Sequence, residues 1–215
     1  MKTKSFWKRT NRGFIVSMVL LAGVIVYVLI TQLMLLSDKQ ALRTLAGDVR
    51  SLYEETQVLS DEQITALQTE DAKKAERDRI KGKLEACFVK ESAYLDGAAQ
   101  KLTDTYIYRA GGEERITGLS YQGDKKSSFN CSIDGDTATL SATYDYVAAG
   151  LFYDYSKGYV EINGKPQKLE VVEGKQNQSL YLSLTCKKID GEWKIYRISD
   201  IGSYSRGDIQ VEVVG

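Results

Sequence analysis

The residues of this chain that could do chemistry are concentrated in one aromatic stretch. Its aromatic members between positions 144 and 159 are Tyr144, Tyr146, Phe152, Tyr153, Tyr155 and Tyr159. Asp145 and Asp154 lie among them. A tyrosine that donates to a ligand oxygen beside an aspartate that takes a proton is one arrangement for proton transfer. The other interpretation is a packed or partner-binding surface, because tyrosine suits half-buried sheet positions and interfaces.

The local pattern separates the nearest tyrosines from their aspartate. Residues 137–147 read TATLSATYDYV, which alternates apolar and polar side chains as a strand does. Tyr144 and Tyr146 therefore share one face, and Asp145 points to the other. We predict no catalytic residue, and we treat the tyrosines and Trp193 as candidates for a ligand pocket or a protein interface.

Composition excludes several kinds of site. The chain has 0 histidines, which removes serine triads and histidine-based zinc sites. The 3 cysteines, Cys87, Cys131 and Cys186, are too few for a disulfide framework, although an oxidising compartment would allow a Cys131–Cys186 bridge. No glycine-rich phosphate loop or paired-cysteine motif is present. We therefore expect no metal and no cofactor.

An apolar run near the N-terminus predicts a membrane anchor. Residues 13–36 contain no charged side chain, and about 20 apolar residues in a helix cross a bilayer. A cleaved secretory signal is the alternative, but its apolar core is usually about 7–15 residues, followed by small residues. This run ends instead in Gln32-Leu33-Met34-Leu35-Leu36. We expect an uncleaved single-pass helix.

The distribution of charge predicts orientation and partners. Residues 1–12 carry five of the 29 basic residues and none of the 29 acidic ones. This basic tail predicts a cytoplasmic N-terminus and a C-terminal domain outside the cytoplasm, at the cell membrane. The rest of the chain has a net charge of about −5, which argues against nucleic acid as a partner. The expected partners are the lipid bilayer and proteins of the cell envelope.

Beyond the span, a heptad pattern predicts a helical stalk over residues 37–68. Its apolar positions follow a 7, 3, 4, 3, 7 spacing at Leu35, Leu42, Leu45, Val49, Leu52 and Leu59. One interpretation is a short coiled coil, which would let the chain associate with itself or with a partner. The other is a single amphipathic helix that leans on the outer domain.

The first half of the remaining chain has helical signals. Ser60 and Gln63 form a capping-box pattern, from which we predict a helix that runs to about residue 95. Asp96-Gly97 is expected to break it, and Gly111-Gly112 to end the helical part.

From about residue 115 the period changes to two. Residues 179–187 alternate as 137–147 do, with Leu180, Leu182, Leu184 and Cys186 on the inward face. Asp134-Gly135-Asp136, Asn163-Gly164 and Asp190-Gly191 are typical hairpin turns. The order of elements predicts an α+β fold, with a transmembrane helix and helical stalk followed by helices packed on a curved antiparallel sheet. The predicted segments are a tail over 1–12, the span over 13–36, the stalk over 37–68 and an outer domain over 69–215.

Two of these strand regions resemble a known superfamily. Gly135-Asp136-Thr137-Ala138-Thr139-Leu140 and Asp190-Gly191-Glu192-Trp193-Lys194-Ile195 look like the G-D-x-A-x-V strand and the D-G-x-W-x-I turn of the nuclear-transport-factor-two-like superfamily. The resemblance covers roughly residues 70–202. It implies a cone-like fold, a bent sheet around an N-terminal helix that often has a pocket at its open end. Its membrane-anchored bacterial members include assembly factors of conjugation and type IV secretion machines, which share this layout.

These observations lead to one expected function and two alternatives. We expect a single-pass envelope protein whose outer domain is a non-catalytic interaction scaffold or assembly factor, of a conjugation- or secretion-like kind. The first alternative is a membrane-tethered small-molecule binder or an isomerase- or lyase-like cone domain, which the superfamily's enzymes suggest. The second is a division-type single-pass protein, which the heptad stalk suggests.

Overall fold

The computed structural model of the chain describes residues 12–154, 161–162, 165–166 and 170–211. Its helices are α1 (Arg12–Gln57), α2 (Asp61–Ala66), α3 (Glu70–Glu85) and α4 (Leu95–Ala110). Its strands are β1 (Arg115–Tyr121), β2 (Ser128–Asp134), β3 (Thr137–Tyr153), β4 (Glu161–Ile162), β5 (Lys165–Pro166), β6 (Val171–Ile189) and β7 (Glu192–Val211). A short 3-10 turn, Asp124–Lys126, precedes β2. The predicted α+β class is confirmed.

Within the described residues, α1 is the one helix long and apolar enough to cross a membrane. None of the residues in its most apolar stretch is buried by the rest of the chain. A helix with uncovered Leu, Ile and Val on every side is unfavourable in water, because each exposed apolar side chain costs free energy. The predicted span is therefore a candidate membrane anchor.

The chain divides into two compact units, Met1–Ala41 and Leu42–Gly215. The second unit includes the last part of α1, whose heptad positions Leu42 and Val49 are fully buried within the chain. Glu55, on the same part of α1, accepts hydrogen bonds from Arg79 and Lys83 of α3, each at 2.6 Å. Self-association through the heptad positions stays a prediction. It would require Leu42 and Val49 to leave their contacts within the chain's own core.

The predicted helix that starts after Ser60 is correct at its start and wrong in its length. The capping box is formed, since the Ser60 hydroxyl accepts from the Gln63 amide at 3.3 Å and the Gln63 side chain accepts from the Ser60 amide at 2.9 Å. The helix ends at Ala66 because Thr69 caps a new one: its hydroxyl accepts from the Ala72 amide at 3.3 Å. Threonine followed by two acids was a second start signal.

The second interruption comes from pairing with a strand far along the chain. After α3, the Ile195 amide of β7 donates to the Cys87 carbonyl at 2.8 Å, and the Val89 amide donates to the Ile195 carbonyl at 2.9 Å. The predicted break at Asp96-Gly97 is wrong, because both residues lie in the first turn of α4. An acid is favourable there, and a glycine costs less at a helix end than in its middle.

The main sheet is antiparallel, with the order β1-β3-β6-β7 and with β2 also paired to β3. β3 runs from Thr137 to Tyr153 and pairs along its whole length with β6. The β6–β7 ladder shifts register between Lys175 and Asn177, between Ser183 and Leu184 and between Thr185 and Cys186. Such irregularities bend strands, so the sheet is curved.

Both predicted inward faces are confirmed. The buried side chains of β3 and β6 at these positions are Ala138, Leu140, Ala142, Tyr144, Tyr146, Leu180, Leu182, Leu184 and Cys186. Ile80 and Leu84 of α3 and Leu102 and Tyr106 of α4 are buried as well. A layer of helices thus covers one face of the sheet, which gives the apolar alternation its core.

Two of the three predicted hairpin turns are confirmed, and the predicted disulfide is not. The hairpins at Gly135 and Gly191 are formed, with φ of 56° and 84°. The turn predicted at Asn163-Gly164 lies outside the described residues. The Cys131–Cys186 bridge is not formed, because all three cysteines are free. Cys131 on β2 pairs with Leu140 and Cys186 on β6 pairs with Ala138, on opposite sides of β3, so two strand spacings and a two-residue offset put them about 12 Å apart.

The β1–β3 pair allows a sharp test of the sheet register. Gly150 of β3 faces Ile116, and a Cβ atom there would lie 1.9 Å from the Arg115 carbonyl oxygen. We expect Gly150→Ala to lower the free energy of unfolding by about 3 kcal/mol, because the two backbones must separate. Gly118→Ala is the matched control. Its Cβ would meet nothing closer than Ala149 at 3.8 Å, so urea unfolding in detergent should find it unchanged or slightly stabilised. Equal effects of the two changes would contradict this register.

Candidate functional site

Tyr144 and Tyr146, the first predicted site residues, lie where α1 contacts the sheet. The Tyr146 hydroxyl donates to Glu54 Oε1 of α1 at 2.9 Å. The guanidinium of Arg50, one turn earlier on α1, lies 5.5 Å from the centre of the Tyr144 ring. Both tyrosines are buried, Tyr146 with 1% of its surface exposed. They fasten α1 to the sheet.

Two further tyrosines complete what we call the tyrosine cluster: Tyr53, Tyr121, Tyr144 and Tyr146. Ring centres lie 6.2 Å apart for Tyr53 and Tyr146, and 5.6 Å apart for Tyr121 and Tyr146. Arg50 lies 4.2 Å above the Tyr121 ring. Contacts of a cation with an aromatic face contribute roughly 0.5–2 kcal/mol, more as water is removed. Arg50, Tyr53 and Tyr121 were missed because their contacts join parts of the chain that are distant in sequence.

The ionisation of the tyrosine cluster argues against acid–base chemistry. Burial, followed by the nearby Glu54 carboxylate, raises the pKa of Tyr146 far above its usual range. Burial also raises the pKa of Tyr144 to about 12, although Arg50 opposes this. Both hydroxyls are therefore protonated near neutral pH. The Tyr146 hydroxyl is a hydrogen-bond donor, and both rings are packing groups.

Asp145 lies on the opposite face of β3, as the alternation predicts. Its Oδ1 accepts a hydrogen bond from the Ser179 hydroxyl at 2.5 Å, across the β3–β6 pair. A Tyr–Asp dyad between neighbouring positions of β3 is thus not formed.

The other predicted site residues do not join the tyrosine cluster. Tyr153 is half-buried at the end of β3, and its amide donates to Glu114 Oε1 at 3.4 Å. Trp193 is buried at the start of β7, beneath Lys188, whose Nζ is 5.6 Å from the ring centre. These two residues pair with opposite ends of β6. Tyr155 and Tyr159 lie outside the described residues.

The structure has a second candidate site that the sequence did not predict, which we call the polar cavity. It has a volume of about 220 Å³ and lies against the inward face of β3, β6 and β7, beside the end of α4 and the start of β1. Its charged lining residues are Arg109, Glu114 and Arg115. Its uncharged polar lining includes Gln176, Gln178, Ser203 and Ser205.

A pattern in the strands could have revealed the polar cavity. The inward positions of β6, apolar at Leu184, Leu182 and Leu180, continue backwards to Gln178 and Gln176. Ser205 is paired with Gln178 on β7. An inward, buried glutamine on a strand face that is otherwise aliphatic indicates a polar site, because burial of such a group costs free energy. The signal was missed because the predicted strand began only at residue 179.

Hydrogen bonding within the polar cavity is incomplete. Gln178 is 7% exposed, and its Oε1 atom has no hydrogen-bond partner among the described residues. Arg109 Nη1 donates to Gln57 Oε1 at 2.5 Å, and Arg115 Nη1 lies 2.7 Å from Asp61 Oδ1. A guanidinium has five N–H donors, so these contacts leave each arginine with donors for another group.

Comparison with known proteins gives little. No protein-family model and no curated protein matches the chain. A solved structure described as a calcium/calmodulin dependent protein kinase II association domain from Xanthomonas campestris is 11% identical, with a TM-score of 0.25, and the match covers 65% of this chain and 84% of that one. The intermembrane space region of the chloroplast protein ARC6 is 13% identical, also with a TM-score of 0.25, over 76% of this chain and 96% of that one.

At these scores neither likeness carries an argument about fold or function. The superfamily assignment stays a prediction, supported by the residues of the two strand motifs.

The contact between Tyr146 and Glu54 can be tested by removing one atom. We expect Tyr146→Phe to lower the free energy of unfolding by about 1–2 kcal/mol, because it deletes a hydrogen bond to a carboxylate and leaves that carboxylate without its buried donor. Tyr108→Phe is the control, since Tyr108 is 81% exposed and should tolerate the change. Urea unfolding of both variants, in detergent, measures the difference. Equal stabilities would show that the tyrosine cluster does not hold α1.

Proposed function

We propose that the chain is a single-pass, membrane-anchored envelope protein whose C-terminal domain is a non-catalytic protein-interaction scaffold or assembly factor. The observation that carries the proposal is α1 itself. One continuous helix contains the candidate span and then supplies buried residues to the second unit. A binding surface built on that unit would be anchored to the membrane by the same helix.

The orientation follows from charge. The basic tail of residues 1–12 would stay in the cytoplasm, and the second unit would lie outside it. The acidic excess of the remaining chain suits a solvated domain that meets proteins more than nucleic acid. We include in the proposal a cone-like fold, with the sheet bent around its helices, and a conjugation- or secretion-like process as its setting.

The chemistry of the tyrosine cluster favours a structural role. Its hydroxyls are protonated, Tyr146 is already bonded to Glu54, and the nearest aspartate on β3 faces the other way. Catalysis would need a base and a substrate beside these tyrosines, but residues of α1 occupy the space next to them.

We propose the other face of the sheet as the surface for a protein partner. Tyr181 is 37% exposed there, beside Ser183 and opposite Thr143 of β3. Tyrosine among small hydroxyl side chains is typical of interfaces, because it gives a large contact area with little conformational entropy to lose.

Small-molecule binding by a membrane-tethered cone domain is the second candidate, and the polar cavity is the observation that favours it. It is compatible with a scaffold, since the polar cavity and the Tyr181 face are separate. An isomerase- or lyase-like activity would need more than the polar cavity offers, because its one carboxylate, Glu114, accompanies two arginines.

Photo-crosslinking in native membranes tests the scaffold. With p-benzoylphenylalanine in place of Tyr181 in the full chain, we expect irradiation to give a discrete adduct with another envelope protein. The same amino acid in place of Leu182, its fully buried neighbour, should give none. Immunoblotting would show the adducts and mass spectrometry would identify the partner. Adducts with cytoplasmic proteins would overturn the orientation. Equal or diffuse adducts at both positions would overturn the interface.

A further inference from the structure

The polar cavity contains one buried polar group without a partner. Gln178 is 7% exposed and its Oε1 atom has no hydrogen-bond partner among the described residues, whereas the other polar lining residues are half-buried or exposed. A buried acceptor without a donor costs free energy, so a ligand that donates to Gln178 would be favoured. We propose that the polar cavity binds an acidic sugar, a hydroxylated ring that carries one carboxylate. This inference goes beyond the scaffold function and does not rest on it.

The arginines define the anionic end of the ligand. Arg109 lies in the last turn of α4 and Arg115 begins β1, so two separate elements contribute an arginine to the lining of the polar cavity. Planar guanidinium groups match a carboxylate in a two-bonded, fork-like geometry. The described lining has two arginines and one glutamate, and Arg115 is already paired with Asp61, so the lining suits one carboxylate better than a doubly charged phosphate.

The glutamines and serines define the hydroxylated end. Gln178 Oε1 lacks a donor among the described residues, and a ligand hydroxyl or amide N–H that reached it after a small side-chain rotation would supply one. Gln176, Ser203 and Ser205 both donate and accept, as ring hydroxyls do. Phe152 adds an apolar wall on which a sugar ring can pack. Glu114 is an acceptor for further hydroxyls.

Size and charge exclude other ligands. A volume of about 220 Å³ is below the roughly 300–1,000 Å³ of sites for drug-sized molecules, so a single ring fits better than a nucleotide. A fatty or aromatic ligand would leave the Gln178 carbonyl oxygen unpaired. In the described lining, a divalent metal would find one carboxylate beside two arginines.

A pair of matched sugars tests the proposal without any mutation. N-acetylmuramic acid and N-acetylglucosamine differ by the lactyl group that bears the carboxylate. In calorimetric titrations of the full chain in detergent, we expect the acid to bind at least about tenfold more tightly, because it gains a charge-assisted pair with arginine. Equal affinities, or no binding of the acid, would overturn the proposal.

Two variants then separate the two ends of the site. Arg115→Gln should remove the preference for the acid and leave N-acetylglucosamine unaffected. Its described ion-pair partner Asp61 is 82% exposed, so little stability should be lost. Gln176→Leu should weaken both sugars by a similar factor. Arg197→Gln is the control, since Arg197 is exposed over Tyr94 and not part of the cavity lining. Retention of the acid preference by Arg115→Gln would contradict the assigned roles, and if that variant does not fold, the sugar pair alone decides.

Discussion

The structure depends on one constraint: the last part of α1 is a core element of the α+β unit. Leu42 and Val49 are completely buried there, and Thr56, the penultimate residue of the helix, is 1% exposed. Tyr146 and Arg79 then bond to neighbouring glutamates of α1, Glu54 and Glu55. A hydrogen bond to a carboxylate contributes about 1.5–3 kcal/mol when buried, a half-exposed ion pair at most about 1 kcal/mol, and burial of a Leu or Val about 1.5–3 kcal/mol, so this helix end is held by many small contributions together.

This constraint decides what the aromatic residues can do. If no helix covered it, the sheet face that carries Tyr144 and Tyr146 could line a ligand pocket. With α1 across it, the Tyr146 hydroxyl is bonded to Glu54 and the guanidinium of Arg50 packs on the Tyr121 ring. The chain leaves space elsewhere, in the polar cavity beside the end of α4. Because α1 covers the part of the sheet that carries Tyr144 and Tyr146, the candidate ligand site lies towards the other end of the same strands.

The sequence predicted those features that have a local cause. Strand period, the turns at Gly135 and Gly191 and the cap at Ser60 follow from neighbouring residues, and each is confirmed. The end of α3 could not be predicted, because it depends on the pairing of Cys87 and Val89 with β7. The tyrosine cluster and the polar cavity could not be predicted for the same reason, because each is formed by residues that are distant in sequence. The inward Gln178 was nevertheless readable from the alternation of β6, had that strand been extended.

Hydrogen–deuterium exchange of the full chain in detergent tests the central role of α1 most directly. The amides of residues 46–57 should exchange as slowly as those of β3 and β6, because they can open only when the core opens. As urea is added, protection from exchange should be lost at the same urea concentration in residues 46–57 and in β3 and β6. Fast exchange in residues 46–57 while β3 and β6 stay protected would contradict this account, since it would show that the helix end is not part of the core.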